Sequence, residues 1–333
     1  MFSGSRKNEN KVEKNGFFLK NGAAVLEQLI LLFDGKCNRI RTYSAEDLKR
    51  ATDNFDRSRM IHESAGYIMY KGLHEDCEIS VKKFISPSHY KFMDSLKRIS
   101  NEAAVASRMS NHKNVLKLLG CCLETELPML VYEFPGNGNL SRMLDRDGGE
   151  QLPFESRLSI AIEIANAVAY LHHGLSKKFI HRDVHRGQVF LDQDYGAKLF
   201  EFQASIPIPE GETHVDAEVY GTKVFGPPEV LMYGRYTERS DVYDFGILLC
   251  DLLIGKRPDR LIWDRENKQL YTLDDLPELC RRHLEANMSQ AENGAQMMEC
   301  AELAKRCVKL NADDRPNMIE VAKALVLIKS IHY

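Results

Sequence analysis

The chain of 333 residues lacks the features that mark several large classes of protein. No apolar run approaches the roughly 20 residues that a helix needs to span a bilayer, so no direct membrane insertion is expected. The formal net charge is only −3. A charge this small gives no electrostatic reason to expect nucleic acid or an anionic membrane as the main partner.

Signals for export and for lipid attachment are also missing. Eight cysteines occur without a signal peptide and without the paired spacing of a zinc site. They are therefore expected to be reduced thiols of a cytosolic protein, most of them in the core. Position 2 is Phe2, so the N-myristoylation signal is absent. The sequence predicts a cytoplasmic protein that reaches the plasma membrane only through partners.

The first 54 residues precede the motif-bearing part of the chain. Residues 1–15 are polar and charged and are expected to be flexible. The apolar stretch 21–33 predicts a helix too short to cross a membrane. It either packs on its own domain or presents an apolar face to a partner. Ser44 and Asp47 fit a capping box that opens a helix running to about Asn54.

A catalytic-loop pattern is the most specific feature of the sequence. His181, Arg182 and Asp183 match the His-Arg-Asp that opens the catalytic loop of a protein kinase. That pattern has Lys two residues after the Asp and Asn five residues after it. Here the two places hold His185 and Gln188. Asp183 is therefore expected to be a vestigial base in a degenerate loop.

The metal ligands and the phosphate loop are altered as well. Glu201 stands where a kinase has the metal-binding Asp. Glu201 and Gln188 are each one methylene longer than the Asp and Asn of the kinase pattern, which moves the functional group outward by about 1.5 Å. A misplacement of about 1 Å can cost on the order of a hundredfold in rate, so a Mg²⁺ site is disfavoured. The phosphate loop would need glycines at three positions that hold His62, Ser64 and Tyr67, whose side chains crowd a phosphate.

Other parts of a nucleotide site occur in the right order along the chain. Lys82 lies on a predicted strand and Glu102 on the following helix, as in the ion pair that orients the nucleotide in a kinase. Glu133 and Phe134 occupy the hinge, and Phe190 takes the floor of the adenine pocket. Phe190 is larger than expected there and either narrows the pocket or packs the core. ATP binding is left open.

The structural bonds of a kinase fold are predicted to be intact. Asp241 is expected to accept hydrogen bonds beneath His181 and Arg182, and Glu229 to pair with Arg315. Thr213 and Thr222 remain as candidate phosphate acceptors in the activation segment. Acidic residues at 216 and 218 replace the threonines that related active kinases carry before Gly-Thr.

These motifs resemble the plant receptor-like cytoplasmic kinases across about residues 41–330. Residues 114–124 (NVLKLLGCCLE) and 130–134 (LVYEF) are similar to the wall-associated-kinase branch. Residues 18–22 (FLKNG), 51–55 (ATDNF) and 208–211 (IPEG) are similar to its ZED-related (ZRK) group. The resemblance implies an α+β, bilobal protein-kinase fold. Its N-lobe is a small antiparallel sheet with helix αC, and its C-lobe is mostly helical.

The same resemblance implies a domain division and a function. The expected segments are an N-terminal extension (1–40), a kinase N-lobe with a preceding helix (41–134) and a C-lobe (135–333). The ZRK group implies a pseudokinase adaptor in plant innate immunity. Its partners would be a nucleotide-binding leucine-rich-repeat (NLR) receptor, a receptor-like cytoplasmic kinase and a bacterial effector. Two alternatives stay open, a weakly active serine/threonine kinase and a decoy that an effector modifies.

Overall fold

The computed structural model describes residues 3–36, 38, 40–85, 92–145, 152–220, 226–254, 263–264, 269–270, 278, 282 and 293–331. The chain divides into two compact units. The first is Met1–Gly136 with Glu201–Ser205, and the second is Asn137–Phe200 with Ile206–Tyr333. The division of the first unit at residue 40 stays a prediction.

A six-stranded sheet in the order β1-β5-β6-β4-β3-β2 is the centre of the first unit. Its strands are β1 (Arg41–Thr42), β2 (Met60–Ser64), β3 (Tyr67–His74), β4 (Cys77–Phe84), β5 (Leu118–Cys122) and β6 (Met129–Glu133). The pair β1 and β5 is parallel, and the other neighbours are antiparallel. β4 lies inside the sheet and is buried from Ile79 to Lys82, so Lys82 is held in the interior of the unit.

Three helices complete the first unit: α1 (Ser3–Phe33), α2 (Ala45–Ala51) and α3 (Phe92–Met109). The N-cap bond of the capping box predicted for α2 is confirmed, because Ser44 Oγ accepts a hydrogen bond of 3.0 Å from the Asp47 N–H. The Asp47 carboxylate accepts from the Ser44 hydroxyl at 2.6 Å. The helix ends at Ala51 and not at Asn54. Residues 53–55 have positive φ angles of 52°, 57° and 59°, which a right-handed helix cannot accommodate.

Helix α1 corrects two expectations. It is continuous over 31 residues, so residues 3–15 are helical where a flexible segment was expected. Lysine and glutamate favour helix in this stretch, and no proline interrupts it. Within the described residues, Val12–Phe33 has the length of 22 residues and the hydropathy of a membrane span, so the helix is not too short. Core helices of soluble proteins also meet this criterion, and a third of the window is buried in the protein.

Of the two interpretations left open for α1, packing on its own domain is confirmed, and an apolar face for a partner stays a prediction. Val25, Leu29 and Phe33 are buried, and the helix packs on α3. On another face, Leu19 and Leu26 are more than half exposed. They are seven residues apart, so they lie on one side of the helix. The helix therefore anchors to its own unit and still presents an apolar stripe.

A buried asparagine ties α1 to the sheet. Asn21 Nδ2 donates to the carbonyls of Leu123 (3.0 Å) and Thr125 (2.8 Å). Asn21→Ala is expected to cost about 1–3 kcal/mol because it leaves buried carbonyls unpaired. Hydrogen exchange should show faster exchange of α1 amides in this variant. Asn15→Ala, at an exposed position of the same helix, is the control, and equal effects of both changes would contradict the anchoring role.

The second unit is mostly helical. Its helices are α4 (Leu140–Leu144), α5 (Phe154–His173), α6 (Pro228–Tyr233), α7 (Glu238–Ile254), α8 (Gly294–Cys307) and α9 (Met318–Lys329). Short strands accompany them: β7 (Gly138–Asn139), β8 (Phe179–Ile180), β9 (Val189–Leu191), β10 (Ala197–Leu199), β11 (Ile206–Pro207), β12 (Val215–Asp216), β13 (Arg235–Tyr236), β14 (Trp263–Asp264) and β15 (Gln269–Leu270). The core forms where α5 packs on α7 and α9, and α7 packs on α8. The predicted combination of a β-sheet unit and a mainly helical unit is confirmed.

Candidate nucleotide and catalytic residues

Lys82 forms the predicted ion pair in the interior of the first unit. Its Nζ donates to both carboxylate oxygens of Glu102, each at 2.8 Å. Strand β4 supplies the lysine and helix α3 the glutamate, and both side chains are fully buried. A charged pair this deep is favourable only when its hydrogen bonds are well formed, as they are here.

Glu201 adds a third bond that the sequence did not predict. Its Oε2 accepts from Lys82 Nζ at 2.7 Å, and its Oε1 accepts from the Gln203 side-chain amide. An ammonium group has three donors, and the two carboxylates accept from all three. Glu201 has a φ of +71°, an unfavourable backbone conformation for a residue other than glycine. The surrounding bonds hold it there.

Two carboxylates now share one buried cation. The pKa of Glu102 is raised to about 7, because burial and the negative charge of Glu201 raise it by more than Lys82 lowers it. Hydrogen bonds from Lys82 and from the Tyr132 hydroxyl, which lies 2.6 Å from Oε1, lower it in part. In the network of Lys82, Glu102, Glu201 and Tyr132, which we call the lysine network, the raised pKa therefore favours the protonated form of Glu102 more than water does.

An aromatic ring covers the lysine. Lys82 Nζ lies 4.0 Å from the centroid of Tyr67 and 5.0 Å from that of Phe84. Tyr67 pairs with Phe84 across β3 and β4, and Lys82 is two residues from Phe84 on the same face of the strand. The residue at a missing glycine position thus makes a cation–π contact with the lysine. The sequence analysis noted only the loss of glycine at position 67. The alternation of side chains along a strand, which places Lys82 and Phe84 on one face, is the signal that could have predicted this contact.

The hinge and pocket-floor residues lie in different units. In the first unit, Glu133 Oε1 accepts from the Lys117 N–H at 3.1 Å, and Lys71 Nζ lies 4.2 Å from the centroid of Phe134. In the second unit, Phe190 and Phe200 are fully buried and pack edge to face with centroids 5.3 Å apart. Phe190 thus packs a core, as one of its two interpretations proposed.

The catalytic loop binds its own aspartate. Asp183 Oδ2 accepts from Gln188 Nε2 at 2.8 Å and lies 3.5 Å from His185 Nε2. The Gly187 N–H donates to His185 Nδ1 at 3.0 Å, which assigns the ring proton to Nε2 on the side of Asp183. Burial raises the pKa of Asp183, but the contacts with His185 and Gln188 outweigh burial and lower it. A carboxylate held in its ionised form this way is a weak proton acceptor.

The two side chains expected at a metal differ in their fit. Gln188 Oε1 is buried and has no hydrogen-bond partner among the described residues, so it is free to bind a hard cation. Glu201 has no free oxygen, because Lys82 and Gln203 occupy both. Glu201 in this arrangement therefore does not fit a Mg²⁺ ion.

The predicted structural bonds are present in the second unit. The Asp241 carboxylate accepts the N–H groups of His181 (2.7 Å) and Arg182 (2.8 Å). Burial raises the pKa of Asp241, but hydrogen bonds from His172 and the backbone outweigh burial and lower it. Arg315 donates to both oxygens of Glu229 at 2.8 Å. The catalytic loop thus keeps its support although its chemistry is altered.

Several contacts hold part of the activation segment in place. Arg182 donates to the Glu218 carbonyl, and its guanidinium lies 4.2 Å from the Tyr236 ring centroid. Strand β12 pairs with β13, where Asp216 lies 3.6 Å from Arg235. Thr213 is exposed, as a phosphate acceptor must be. Thr222 lies outside the described residues.

Comparisons with known proteins agree with these motifs. A model of the family "protein tyrosine and serine/threonine kinase" matches residues 64–325. From Arabidopsis thaliana, "Non-functional pseudokinase ZED1" is 36% identical, covering 97% of this chain and 99% of the relative. "Serine/threonine-protein kinase ZRK1" is 37% identical over 98% and 96%. "Wall-associated receptor kinase-like 1" is 36% identical over 98% of this chain and 44% of that longer protein.

The extent of these matches is sufficient to assign the chain to a family. The kinase model covers most of the chain, and two relatives align over nearly their whole length. A protein kinase domain implies ATP binding, usually with Mg²⁺. The chain belongs to the protein tyrosine and serine/threonine kinase family, in the group of ZED1 and the ZRK proteins.

Proposed function

We propose that the chain is a catalytically impaired protein kinase that works as an adaptor in plant innate immunity. It would link an NLR receptor to bacterial effectors or to effector-modified receptor-like cytoplasmic kinases. The observation that carries the impaired chemistry is Lys82, whose three donors all face Glu102 and Glu201. A relative named as a non-functional pseudokinase, ZED1, supports the loss of catalysis.

Phosphate binding has to disrupt the lysine network. A kinase lysine contacts the nucleotide phosphates while its glutamate orients it. Here Lys82 also bonds to Glu201, and the Tyr67 ring lies against its ammonium group. A triphosphate would replace one of these bonds and would add negative charge beside two carboxylates. Both effects oppose nucleotide binding.

An adaptor acts by binding its partners, so its function depends on exposed docking surfaces. The exposed apolar stripe of α1, which includes Leu19 and Leu26, offers one docking face. The activation segment, which Arg182 holds through the Glu218 carbonyl, offers a second. Such a protein works in the cytoplasm and reaches the plasma membrane through its partners. The receptor and the effector-modified kinase would each take one of these faces.

Nucleotide should leave the melting temperature almost unchanged. A ligand that binds the native state raises the melting temperature by mass action. With millimolar ATP, alone or with Mg²⁺ or Mn²⁺, we expect no measurable shift because Lys82 and Glu201 are engaged with each other. Thermal unfolding of the purified chain is the measurement. A metal-dependent increase would show that the lysine network opens, and would contradict the proposed block.

Removal of the base should leave signalling intact. Asp183→Ala is expected to support receptor-dependent cell death as well as the unchanged chain, because no phosphoryl transfer is needed. Asp241→Ala should abolish it, because the carboxylate that holds the backbone of His181 and Arg182 is lost. Co-expression with the receptor and effector in leaf tissue is the assay. Loss of signalling by a well-folded Asp183→Ala protein would refute the adaptor proposal.

A weakly active serine/threonine kinase is the second candidate. Asp183 is present, and the free Gln188 Oε1 offers one oxygen to a metal. The relative ZRK1 carries the name of a serine/threonine-protein kinase. This candidate requires metal-dependent autophosphorylation that disappears in Lys82→Ala. A decoy is separated from an adaptor by mapping effector-dependent modification on this chain in the presence of the receptor.

A further inference from the structure

A cluster of three metal-ligand side chains lies in the second unit, where α5 ends and α7 begins. His172 and His173 are the last residues of α5, and Glu238 is the first of α7. One ligand atom from each lies within 4.8 Å of the other two. His173 Nδ1 is 3.6 Å from Glu238 Oε1. All three lie outside the catalytic loop and outside the lysine network.

Two polar atoms of this cluster lack a hydrogen bond. His172 Nδ1 and Glu238 Oε1 are buried and have no hydrogen-bond partner in the part of the chain that the structure describes. His172 itself is 1% exposed. Leaving a buried polar group unsatisfied is unfavourable. A cation bound between the two atoms would satisfy both.

The second ring nitrogen of His172 contacts a carboxylate, as is common for histidines that bind metals. His172 Nε2 lies 2.8 Å from Asp241 Oδ2. A histidine that binds a metal usually donates its other ring N–H to a carboxylate, which fixes the tautomer and orients the ring. With the proton assigned to Nε2 by this contact, Nδ1 keeps its lone pair.

We propose that His172, His173 and Glu238 form a zinc site. Two imidazoles and one carboxylate are a ligand set that Zn²⁺ accepts, with water in the fourth place. Zinc–ligand bonds of about 2.0–2.2 Å at tetrahedral angles place ligand atoms about 3.4 Å apart. The 3.6 Å between His173 Nδ1 and Glu238 Oε1 is close to this value. The bound ion would join the end of α5 to the start of α7.

A neighbouring lysine should weaken zinc binding, so its removal is expected to increase the affinity for zinc. Lys178 Nζ lies 3.2 Å from Glu238 Oε2, the oxygen that the cluster does not use. The lysine charge and the positive N-terminal end of α7 both weaken cation binding. Zinc affinity should therefore fall below that of sites with dedicated ligands, and it should increase when the lysine charge is removed.

Calorimetric titration of the purified, tag-free full chain with zinc chloride is the experiment. We expect one zinc ion per chain, with affinity at least tenfold weaker in His173→Ala and in Glu238→Gln. Lys178→Gln should bind zinc more tightly than the unchanged chain. His173 is about one third exposed, so His173→Ala is expected to fold, which circular dichroism and melting temperature will check.

Exposed Cys77 is the main competing ligand among the described thiols, so all variants carry Cys77→Ser. X-ray absorption at the zinc edge should show a first shell of nitrogen and oxygen with two imidazoles. A sulfur ligand, unchanged affinity in His173→Ala, or no binding at submillimolar zinc would each overturn the proposal. The result is independent of kinase or adaptor activity, because the readout is the ion itself.

Discussion

Glu229→Ala is expected to lower the free energy of unfolding by about 3–5 kcal/mol, as when one partner of a buried ion pair is removed. The Arg315 side chain is fully buried and donates to both Glu229 oxygens at 2.8 Å. Its other hydrogen bonds go to the carbonyls of Lys309 (2.7 Å), Arg239 (3.0 Å) and Leu310 (3.2 Å). These carbonyls remain in the variant but carry no counter-charge, so a buried guanidinium is left unneutralised.

Urea unfolding followed by circular dichroism measures this effect. Glu210→Ala, at an exposed position of the same chain, is the matched control and should change stability by less than about 0.5 kcal/mol. Glu229→Leu combined with Arg315→Met should recover much of the loss, because an apolar pair can replace a buried ion pair. A loss below about 1 kcal/mol in Glu229→Ala would mean that the arginine charge is accommodated by other groups.

The order of motifs predicted the fold because those motifs are structural as well as catalytic. Asp241 and the pair Glu229–Arg315 hold backbone segments in place, so their presence indicates the architecture even where catalytic residues have changed. The ion pair between Lys82 and Glu102 was predictable for the same reason. A strand followed by a helix brings these two positions together, and little depends on the surrounding side chains.

Contacts set by side-chain reach were not predictable. The sequence showed that Glu201 is one methylene longer than aspartate, but it did not show that the carboxylate would bond to Lys82. Rotamer and backbone φ decide the direction of that arm, and both follow from the packed unit. The zinc cluster is similar, because Glu238 is 65 residues from His173 along the sequence and helix ends bring them together.

The prediction that residues 1–15 are flexible was wrong for a third reason. Polar composition suggested flexibility for residues 1–15, although lysine and glutamate are good helix formers. Helix formation is cooperative. Once Val25, Leu29 and Phe33 are buried, the upstream residues extend an existing helix at little cost in free energy. Composition alone cannot report this coupling between a polar segment and an anchored one.

Lys82→Met is expected to destabilise the chain strongly at pH 8 and only weakly at pH 5. The substitution removes the cation that pairs with both Glu102 and Glu201, two buried carboxylates. Losing one partner of a buried ion pair costs about 3–5 kcal/mol. Two like charges then remain together at high pH, whereas protonation relieves the repulsion at low pH. In a kinase whose lysine is free of the second carboxylate, the same change should cost less.

The sign of the pH dependence follows from the pKa of Glu102. Burial, opposed by Lys82 and reinforced by Glu201, raises this pKa from 4.5 to about 7, so the folded chain binds more protons than the unfolded chain between these values. The stability that this group contributes is fully present below pH 4.5 and is lost as the pH rises through about 7; the loss is on the order of 3 kcal/mol. Lys82→Met removes an interaction that lowers the pKa, so the loss should extend to higher pH.

Urea unfolding of both proteins at pH 5, 7 and 8.5 tests this prediction. Glu201→Gln is the matched companion, because it keeps Lys82 paired with Glu102 and removes only the second carboxylate charge. Its stability should vary less with pH than that of the unchanged chain, since Glu201 helps to raise the pKa of Glu102. Adding Glu201→Gln to Lys82→Met should recover part of the loss at pH 8.5. A loss in Lys82→Met that is the same at all three pH values would show that packing, and not charge, makes the lysine necessary.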